Sequence, residues 1–428
     1  MNTTSIAQRP QGSREWGIPL VYVTVTILVG VILPRLEHRF LPEFTSSMST
    51  SAAMGVCSAV ASGMIALTGI VFSLAFVMVQ FSATAYSPRL VLWMARDPVL
   101  KHSLGVFTAT FLYALVLLAW VDRGASGKVP LVSSMLVFVL ILASMGMFIS
   151  LIHRLGRLQV NQMLIFTGDH GRQAIAELYS TAAVAVAKKP ERSAEDKPAQ
   201  SLSHQGRPAA VQAIRVHSLV QLAAECGAFI EVTVAVGDIV IERTPMIRVY
   251  GAGQPLNPEA LAGAVQTGDE RTFEQDPKYA LRMIVDIAIK ALSPAINDPT
   301  TAVQALDQIE DLLLRLGTSN LDVGEYCDSN GVPRLSVPFP SWDDYLRLAL
   351  DEIRFCGANS VQVMRRMNAL LKNLSEILPA KRRAALQKWE HRLHDTVDRT
   401  FLDQEEKAEA SVADRQGLGI TEEQPAGS

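Results

Sequence analysis

The scarcity of charge in the first 152 residues most limits what this chain can fold into. Only 14 of its 81 charged residues lie there, and the other 276 residues carry the remaining 67. The second density is ordinary for a soluble protein, whereas the first is too low for a solvated surface of that size. The sequence therefore predicts a membrane-embedded first part and a soluble second part.

Four uncharged stretches in the first part are long enough to cross a bilayer, which takes about 20 apolar residues. They lie at residues 16–34, 48–81, 103–121 and 129–152. The predicted fold class is a membrane unit of four transmembrane helices, followed by a cytoplasmic α+β domain with a small β module and a C-terminal helical bundle.

Lysine and arginine in the short connections set the predicted orientation, because they favour the cytoplasmic side. The N-terminus, the second connection and the segment after the fourth span carry eight of these residues, against four in the opposite connections. Both termini and the soluble part are therefore predicted to be cytoplasmic.

The second predicted span lies within 45 consecutive uncharged residues, 44–88. A helix over residues 48–81 would be about 50 Å long. Small residues recur along it at steps of three and four, and small residues at that spacing let helices approach closely in lipid. Two interpretations stay open: packing against another span or a sister subunit, or the lining of a narrow pore. The stripe consists of Gly55, Ala59, Ser62, Ala66, Gly69 and Ser73, and continues to Gln80.

The interiors of the predicted spans contain no Asp, Glu, Lys, Arg or His. Such groups usually mark proton relays and ion-coupled sites, so a coupled transporter is disfavoured. A passive channel stays possible, because hydroxyl linings and hydrophobic constrictions suffice for conduction and gating.

The soluble part is predicted to contain five segments. A juxtamembrane helical segment covers residues 153–187, with a break near Gly168 and Gly171, and a flexible linker follows at 188–210. A small β/α module occupies 211–256, a helical domain 257–405, and a disordered tail 406–428. Two Asp-Pro pairs, at Asp276 and Asp298, mark helix starts, because aspartate caps a helix and proline suits its first position.

Composition excludes several classes of function. A net charge of −3 without a basic block argues against nucleic-acid binding. Four widely spaced cysteines suggest neither a disulfide framework nor a zinc site, and the histidine pairs lack acidic or cysteine partners at ligand spacing. The sequence thus gives no reason to expect a cofactor or a metal.

Two strings resemble a known family. They are Val79–Ser82 with Ser87–Leu90, and the run from Arg271 through the "QDP" motif to "ALSPAINDPTTA", where the family pattern has a glycine at Ala295. They are similar to the bacterial membrane proteins called domain of unknown function 2254, over nearly the whole chain. The resemblance implies a multi-pass protein of the bacterial inner membrane and carries no activity.

Polar residues concentrate in the second string, and their role has three interpretations. They form a buried network that fixes a domain or subunit interface, a pocket for a small ligand or ion, or a catalytic site. The last is disfavoured because no nucleophile–base pair accompanies the carboxylates, and the chain is not expected to be an enzyme. The candidate residues are Arg271, Gln275, Asp276, Asp286, Ser293, Asn297, Asp298 and Thr300.

At the inner end of the second span, Ser87, Pro88 and Arg89 are a candidate contact with lipid headgroups or the cytoplasmic domain. The leading functional hypothesis is a homo-oligomeric passive channel in the lipid bilayer, gated by its cytoplasmic domain. The alternative is a non-conducting, membrane-anchored sensor or scaffold that binds a cytoplasmic partner or a small ligand.

Overall fold

The computed structural model describes residues 17–41, 43, 46–85, 98–123, 129–156, 160–180, 197–251 and 253–419. Its internal contacts divide the chain into two compact units, Met1–Gln159 and Val160–Ser428.

The first unit contains four long apolar helices, as the sequence predicted. Each has a stretch that is long and apolar enough to cross a membrane. The second helix is 36 residues long, which corresponds to about 54 Å. The helices are α1 (Gly17–Phe40), α2 (Thr50–Ala85), α3 (Pro98–Arg123) and α4 (Leu131–Gly156).

Helix α3 is the centre of this unit and packs against α1, α2 and α4. Phe107, Tyr113 and Leu117 of α3 are almost completely buried. Between α3 and α4, the Thr110 and Ser144 hydroxyls lie 2.8 Å apart. The outer helices turn large apolar side chains such as Leu28 and Leu142 outward, as helices surrounded by lipid do.

The second unit is an α+β structure of nine described helices and eight described strands. Its helices are α5 (Val160–Ser180), α6 (Val216–Glu225), α7 (Pro258–Ala264), α8 (Pro277–Ala291), α9 (Pro299–Thr318), α10 (Trp342–Cys356), α11 (Val361–Ile377), α12 (Ala380–Thr400) and α13 (Gln404–Ser411). Its strands are β1 (Gln200–Ser203), β2 (Ala209–Ile214), β3 (Phe229–Val232), β4 (Ile239–Val240), β5 (Pro245–Tyr250), β6 (Val265–Gly268), β7 (Glu325–Cys327) and β8 (Pro333–Ser336).

The strands form two sheets around one apolar core. The larger sheet has the order β1-β5-β3-β8-β7, in which only β3 and β8 are parallel, and the smaller has the order β4-β2-β6. Ile230 of β3 pairs with Leu335 of β8, and both are fully buried. The β module is therefore completed by a segment about 100 residues further along the chain.

This topology corrects two predicted segments. Strand β1 lies inside the predicted flexible linker, 188–210, and strands β6, β7 and β8 lie inside the predicted helical domain, 257–405. These strands are three or four residues long, which is too short for an alternation of apolar and polar residues to be recognised. In β1, only Leu202 packs against the core. Strand β1 forms because it pairs with β5, and not because its own residues favour a strand.

Helix α5 is continuous, which corrects the predicted break near Gly168 and Gly171. It packs against α8 and α9. A Cβ atom on Gly171 would lie only 3.0 Å from the Cβ of Ala280 and from both methyl groups of Leu312. These glycines therefore serve close packing, which offsets the helix-propensity cost of about 1 kcal/mol each.

The C-terminal segment is ordered beyond the predicted limit of residue 405. Helix α13 packs against α11 and α12, and the Arg365 guanidinium donates a 2.6 Å hydrogen bond to the Glu409 carbonyl. The Asp414 carboxylate accepts hydrogen bonds from the backbone N–H groups of Gln416 and Gly419. The predicted disordered tail, 406–428, is thus structured to residue 419, and residues 420–428 lie outside the described part.

Candidate functional site

A cleft of about 620 Å³ lies within the second unit, where the β module meets the helices. Its walls come from the end of α5, the end of β2, the start of α6, the β3–β4 connection, β7, the start of α8 and the segment between β8 and α10. The volume lies within the range of small-molecule pockets, and such pockets are mainly apolar with a few placed polar groups. The apolar lining includes Ile214, Val216, Val220, Val236, Val337 and Phe339.

Asp276 forms one wall of the cleft and is 1% exposed. Its Oδ1 accepts a hydrogen bond from the backbone N–H of Tyr279, which caps α8. Its Oδ2 accepts hydrogen bonds of 3.0 and 2.7 Å from Nε and Nη2 of Arg271. Burial raises the pKa of the Asp276 carboxyl above 3.8, although Arg271 opposes the shift.

Two backbone features hold this pair in position. Gln275 has a left-handed φ of 54°, and its side-chain oxygen accepts a hydrogen bond from the Ile214 N–H of β2. Gly237, in the β3–β4 connection, has a φ of 91°. A Cβ on Gly237 would lie 2.5 Å from Asp276 Oδ2 and 2.7 Å from Arg271 Nη2. Only glycine permits this contact between the β module and the ion pair.

The first turn of α6 also faces the cleft, through Arg215, Val216, His217 and Ser218. Arg215 occupies the N-cap position and makes no side-chain hydrogen bond to the helix. The first N–H groups of a helix have no intrahelical acceptor and carry a partial positive charge. Lys278 also lines the cleft. Besides Asp276, the acidic lining residue is Glu177. The cleft therefore presents basic groups and the first N–H donors of α6 to a molecule that binds in it.

Two tyrosines, Tyr326 and Tyr345, line the cleft, and Tyr179 contacts the second of them. The hydroxyls of Tyr179 and Tyr345 are 2.8 Å apart, and burial raises the pKa of Tyr179 to about 12. Tyr326 lines the cleft and is only 9% exposed, and burial raises its pKa too. Its hydroxyl has no hydrogen-bond partner among the described residues.

The predicted polar network separates into three groups along α8. Arg271, Gln275 and Asp276 lie at its start. Asp286 lies in its middle, where its Oδ1 accepts a 2.7 Å hydrogen bond from Nε of Arg282, and Arg282 also pairs with Glu352. Because α8 has 15 residues, about 22 Å separates its two ends. Only the first group contributes to the cleft.

The third group forms the turn between α8 and α9. Asp298 caps α9, accepting hydrogen bonds from the N–H and the hydroxyl of Thr301. Asn297 is exposed with a left-handed φ of 50°, the Ser293 hydroxyl donates to the Lys290 carbonyl, and Thr300 is exposed. The structure places these residues in a helix–helix connection.

The small-residue stripe of α2 is exposed in the chain as described. Gly55, Ala59, Ser62, Ala66, Gly69 and Ser73 are all exposed, and the added Cβ of Gly55 or Gly69 would meet no atom within 4 Å. The opposite face, which includes Ala53, Cys57 and Met64, is buried. Gln80 is exposed too, whereas Ser87, Pro88 and Arg89 lie outside the described residues.

The first unit also contains a buried carboxylate that the sequence pattern did not predict. Helix α1 continues through Pro34 to Phe40, beyond the predicted span end, and carries Glu37 at 3% exposure. Its carboxylate accepts hydrogen bonds from the N–H groups of Val132 and Ser133 and from the Ser133 hydroxyl. Glu37 therefore caps α4 from another helix, a role that no local sequence pattern displays.

The four apolar helices and the α+β unit with its cleft define a multi-span membrane protein with a large second unit. The chain belongs to the family described as "Predicted membrane protein (DUF2254)", whose model matches residues 13–373. It is similar to an uncharacterized protein of Mycobacterium bovis and to one of Mycobacterium tuberculosis, each 27% identical over 92% of this chain and 78% of the relative. No solved structure shows significant similarity to the chain.

Proposed function

We propose that the protein is a membrane-anchored receptor for a small molecule, with the cleft of the second unit as its binding site. The observation that carries the proposal is the cleft itself: about 620 Å³, mainly apolar walls, and polar groups grouped at the starts of α6 and α8. Receptor and enzyme pockets share this anatomy. The described lining offers no paired nucleophile and base, which favours binding over chemistry.

A filled cleft tests this proposal. The full-length protein in nanodiscs is screened by thermal shift against water-soluble neutral, anionic and cationic fragments. Val220→Trp places a large side chain in the cleft, and Val332→Trp is the matched control, because Val332 is exposed on the β7–β8 turn. Fragments that bind the wild type and Val332→Trp, but not Val220→Trp, support the proposal. Binding that survives Val220→Trp, or no binding at all, contradicts it.

A passive channel built by several copies is the second candidate function, and the outward face of α2 favours it. Helices associate in lipid through small residues that permit close backbone approach. This face lies opposite the one that contacts α3, and the described residues leave it exposed, which supports contact with a second copy. A ring of such helices would surround a narrow path lined by Ser62, Ser73 and the glycines.

Conduction and assembly are measured together for this candidate. Ala66→Trp adds bulk to the small-residue face, whereas Phe72→Trp changes a position that is already large and exposed. An oligomer whose current in planar bilayers is lost in Ala66→Trp and kept in Phe72→Trp supports a channel. A monomer, or an oligomer without current under any voltage or tension, excludes it.

We also propose that the second unit is cytoplasmic and that the membrane is the bacterial inner membrane. The distribution of lysine and arginine supports this orientation. Cys356 is exposed in the second unit, so it reports the topology without substitution. A membrane-impermeant maleimide is expected to label Cys356 in inside-out vesicles and to spare it in right-side-out vesicles. The reverse pattern contradicts the proposed orientation.

A further inference from the structure

We infer that the cleft takes an amphipathic anion: a carboxylate or phosphate group on an apolar body, with the charged head at the first turn of α6. This inference rests on the proposed receptor function and specifies its ligand. Three independent features of the cleft carry it: the helix start without a side-chain acceptor, the balance of charge, and a tyrosine hydroxyl that has no protein partner among the described residues.

The start of α6 is the first feature. The helix has ten residues, and Arg215 at its N-cap leaves the first N–H groups without a side-chain acceptor. Helix starts of this kind bind oxyanions, because several N–H donors converge and the helix adds about half a positive charge. By contrast, α8 at the same cleft is already capped by Asp276. Of these two helix starts, only that of α6 therefore lacks a side-chain acceptor for its N–H groups.

The balance of charge is the second feature. Arg215 and Lys278 line the cleft, and His217 adds a further donor at the same turn. Two carboxylates also line it, but Arg271 neutralises Asp276 through two hydrogen bonds. The Glu177 carboxylate is on an exposed residue, as Arg215 and His217 are, so it offsets one of the two basic side chains. The second basic side chain, together with the helix start, leaves the cleft favourable to an anion.

The Tyr326 hydroxyl is the third feature. Tyr326 as a residue is 9% exposed and lines the cleft, and its hydroxyl has no hydrogen-bond partner among the described residues. A ligand oxygen in the cleft could take the place of water as the hydrogen-bond partner of this hydroxyl. A neighbouring tyrosine pair, Tyr179 with Tyr345, is already satisfied by its own contact. The Tyr326 hydroxyl is thus available to a ligand, as is that of the exposed Ser218 at the start of α6.

The size and walls of the cleft indicate that the ligand has an apolar body. A space of about 620 Å³ far exceeds a bare phosphate or carboxylate. Val220, Val236 and Phe339 contribute apolar surface beside the charged end. Such a surface favours an aryl or alkyl group, because apolar area removed from water stabilises the complex.

The test measures binding to the full-length protein in nanodiscs by calorimetry. The probes are 4-phenylbutyrate, phenyl phosphate, inorganic phosphate and the neutral 4-phenylbutan-1-ol. We expect both aryl anions to bind at least tenfold more tightly than the alcohol, and inorganic phosphate to bind weakly. The comparison of the two aryl anions distinguishes a carboxylate ligand from a phosphate ligand.

Variants assign the effect to the cleft. Arg215→Gln is expected to weaken binding of the preferred anion about tenfold or more and to leave the alcohol within about twofold. Tyr326→Phe removes only the hydroxyl and is expected to weaken the anion severalfold. Arg383→Gln, an exposed arginine on α12, is the control and should change nothing.

Each outcome decides between the two proposals. Anion binding that depends on Arg215 and Tyr326 supports the inference. Neutral fragments that bind the cleft as well as the anions do, with no effect of Arg215→Gln, overturn the inference and leave the receptor function intact. Failure of every fragment, charged or neutral, overturns both.

Discussion

Replacing Arg271 by methionine leaves the Asp276 carboxyl buried without its partner, and the resulting loss of stability should depend on pH. In the native protein, Asp276 is 1% exposed and paired with Arg271 at 2.7 Å. Burial already holds the pKa of Asp276 above 3.8. The folded state therefore favours the protonated carboxyl, and this contribution is complete below pH 3.8 and lost as pH rises. Without Arg271 the pKa rises further.

The size of the loss follows from the cost of protonation. Removing one partner of a buried ion pair costs about 3–5 kcal/mol. Where protonation of the Asp276 carboxyl costs less than this, the carboxyl takes up a proton and the loss equals the cost of protonation. Each pH unit above the ordinary pKa of 3.8 costs about 1.4 kcal/mol. The electrostatic loss is thus limited to about 4 kcal/mol at pH 7 and to less than about 2 kcal/mol at pH 5.

Hydrogen exchange of the α8 amides in the full-length protein measures this loss, after correction for the intrinsic rates at each pH. Arg271→Met is expected to lower the opening free energy of α8 far more at pH 7 than at pH 5. In the double variant Arg271→Met with Asp276→Asn, the amide still caps Tyr279 and cannot ionise, so the loss should be nearly constant with pH. Equal losses of the single variant at both pH values would refute the reasoning.

Three further predictions concern single contacts. Glu37→Gln should lower the thermal midpoint of the detergent-solubilised protein by a few degrees, corresponding to about 1–3 kcal/mol, whereas Glu43→Gln at an exposed position should not; equal midpoints would contradict the capping role of Glu37. Asp298→Ala should cost about 1 kcal/mol and speed exchange at the start of α9, while Asp298→Asn keeps most of the cap; neither should alter fragment binding. Gly171→Val should separate α5 from α8 and α9 and cost about 1–3 kcal/mol by thermal denaturation; an unchanged midpoint would show that the helices can adjust.

The membrane unit was predictable because lipid imposes its rule on each segment separately. A span needs its own apolar length and no buried charge, so each helix is visible in a short window of sequence. The rule fails where a polar group is satisfied by another helix. Glu37 looks like the flank of a span, and its capping of α4 depends on Ser133, 96 residues away.

The helix starts at the two Asp-Pro pairs were predictable in detail. Gln275 and Asn297 precede them with left-handed φ angles of 54° and 50°, and both aspartates accept a hydrogen bond three residues ahead. The local pattern therefore specifies the same turn twice. It does not specify burial: Asp276 is enclosed by Arg271 and the β module, whereas Asp298 stays partly exposed. Tertiary packing, which has no local signature, gives the two motifs different surroundings.

The cleft was not predictable for the same reason. Arg215, Asp276 and Tyr326 are separated by 50 or more residues, and short strands bring them together. Strand β7, which carries Tyr326, has three residues and joins the sheet only through β8. Neither residue type nor spacing marks these positions as members of one site, so the polar segment around Asp276 displayed only part of it.

The Arg271–Asp276 pair links stability to the proposed ligand. An anion at the first turn of α6 would lie in the same cleft as the Asp276 carboxylate, and like charges repel more strongly where water is scarce. Arg271 removes that repulsion, although it is not itself among the lining residues. Arg271→Met should therefore weaken 4-phenylbutyrate increasingly as pH rises above about 7 and ionises the Asp276 carboxyl, and should spare 4-phenylbutan-1-ol at every pH. Adding Asp276→Asn should restore anion binding, because the amide carries no charge. If the double variant binds the anion as poorly as the single one, Arg271 acts by positioning the β module and not by neutralising the carboxylate.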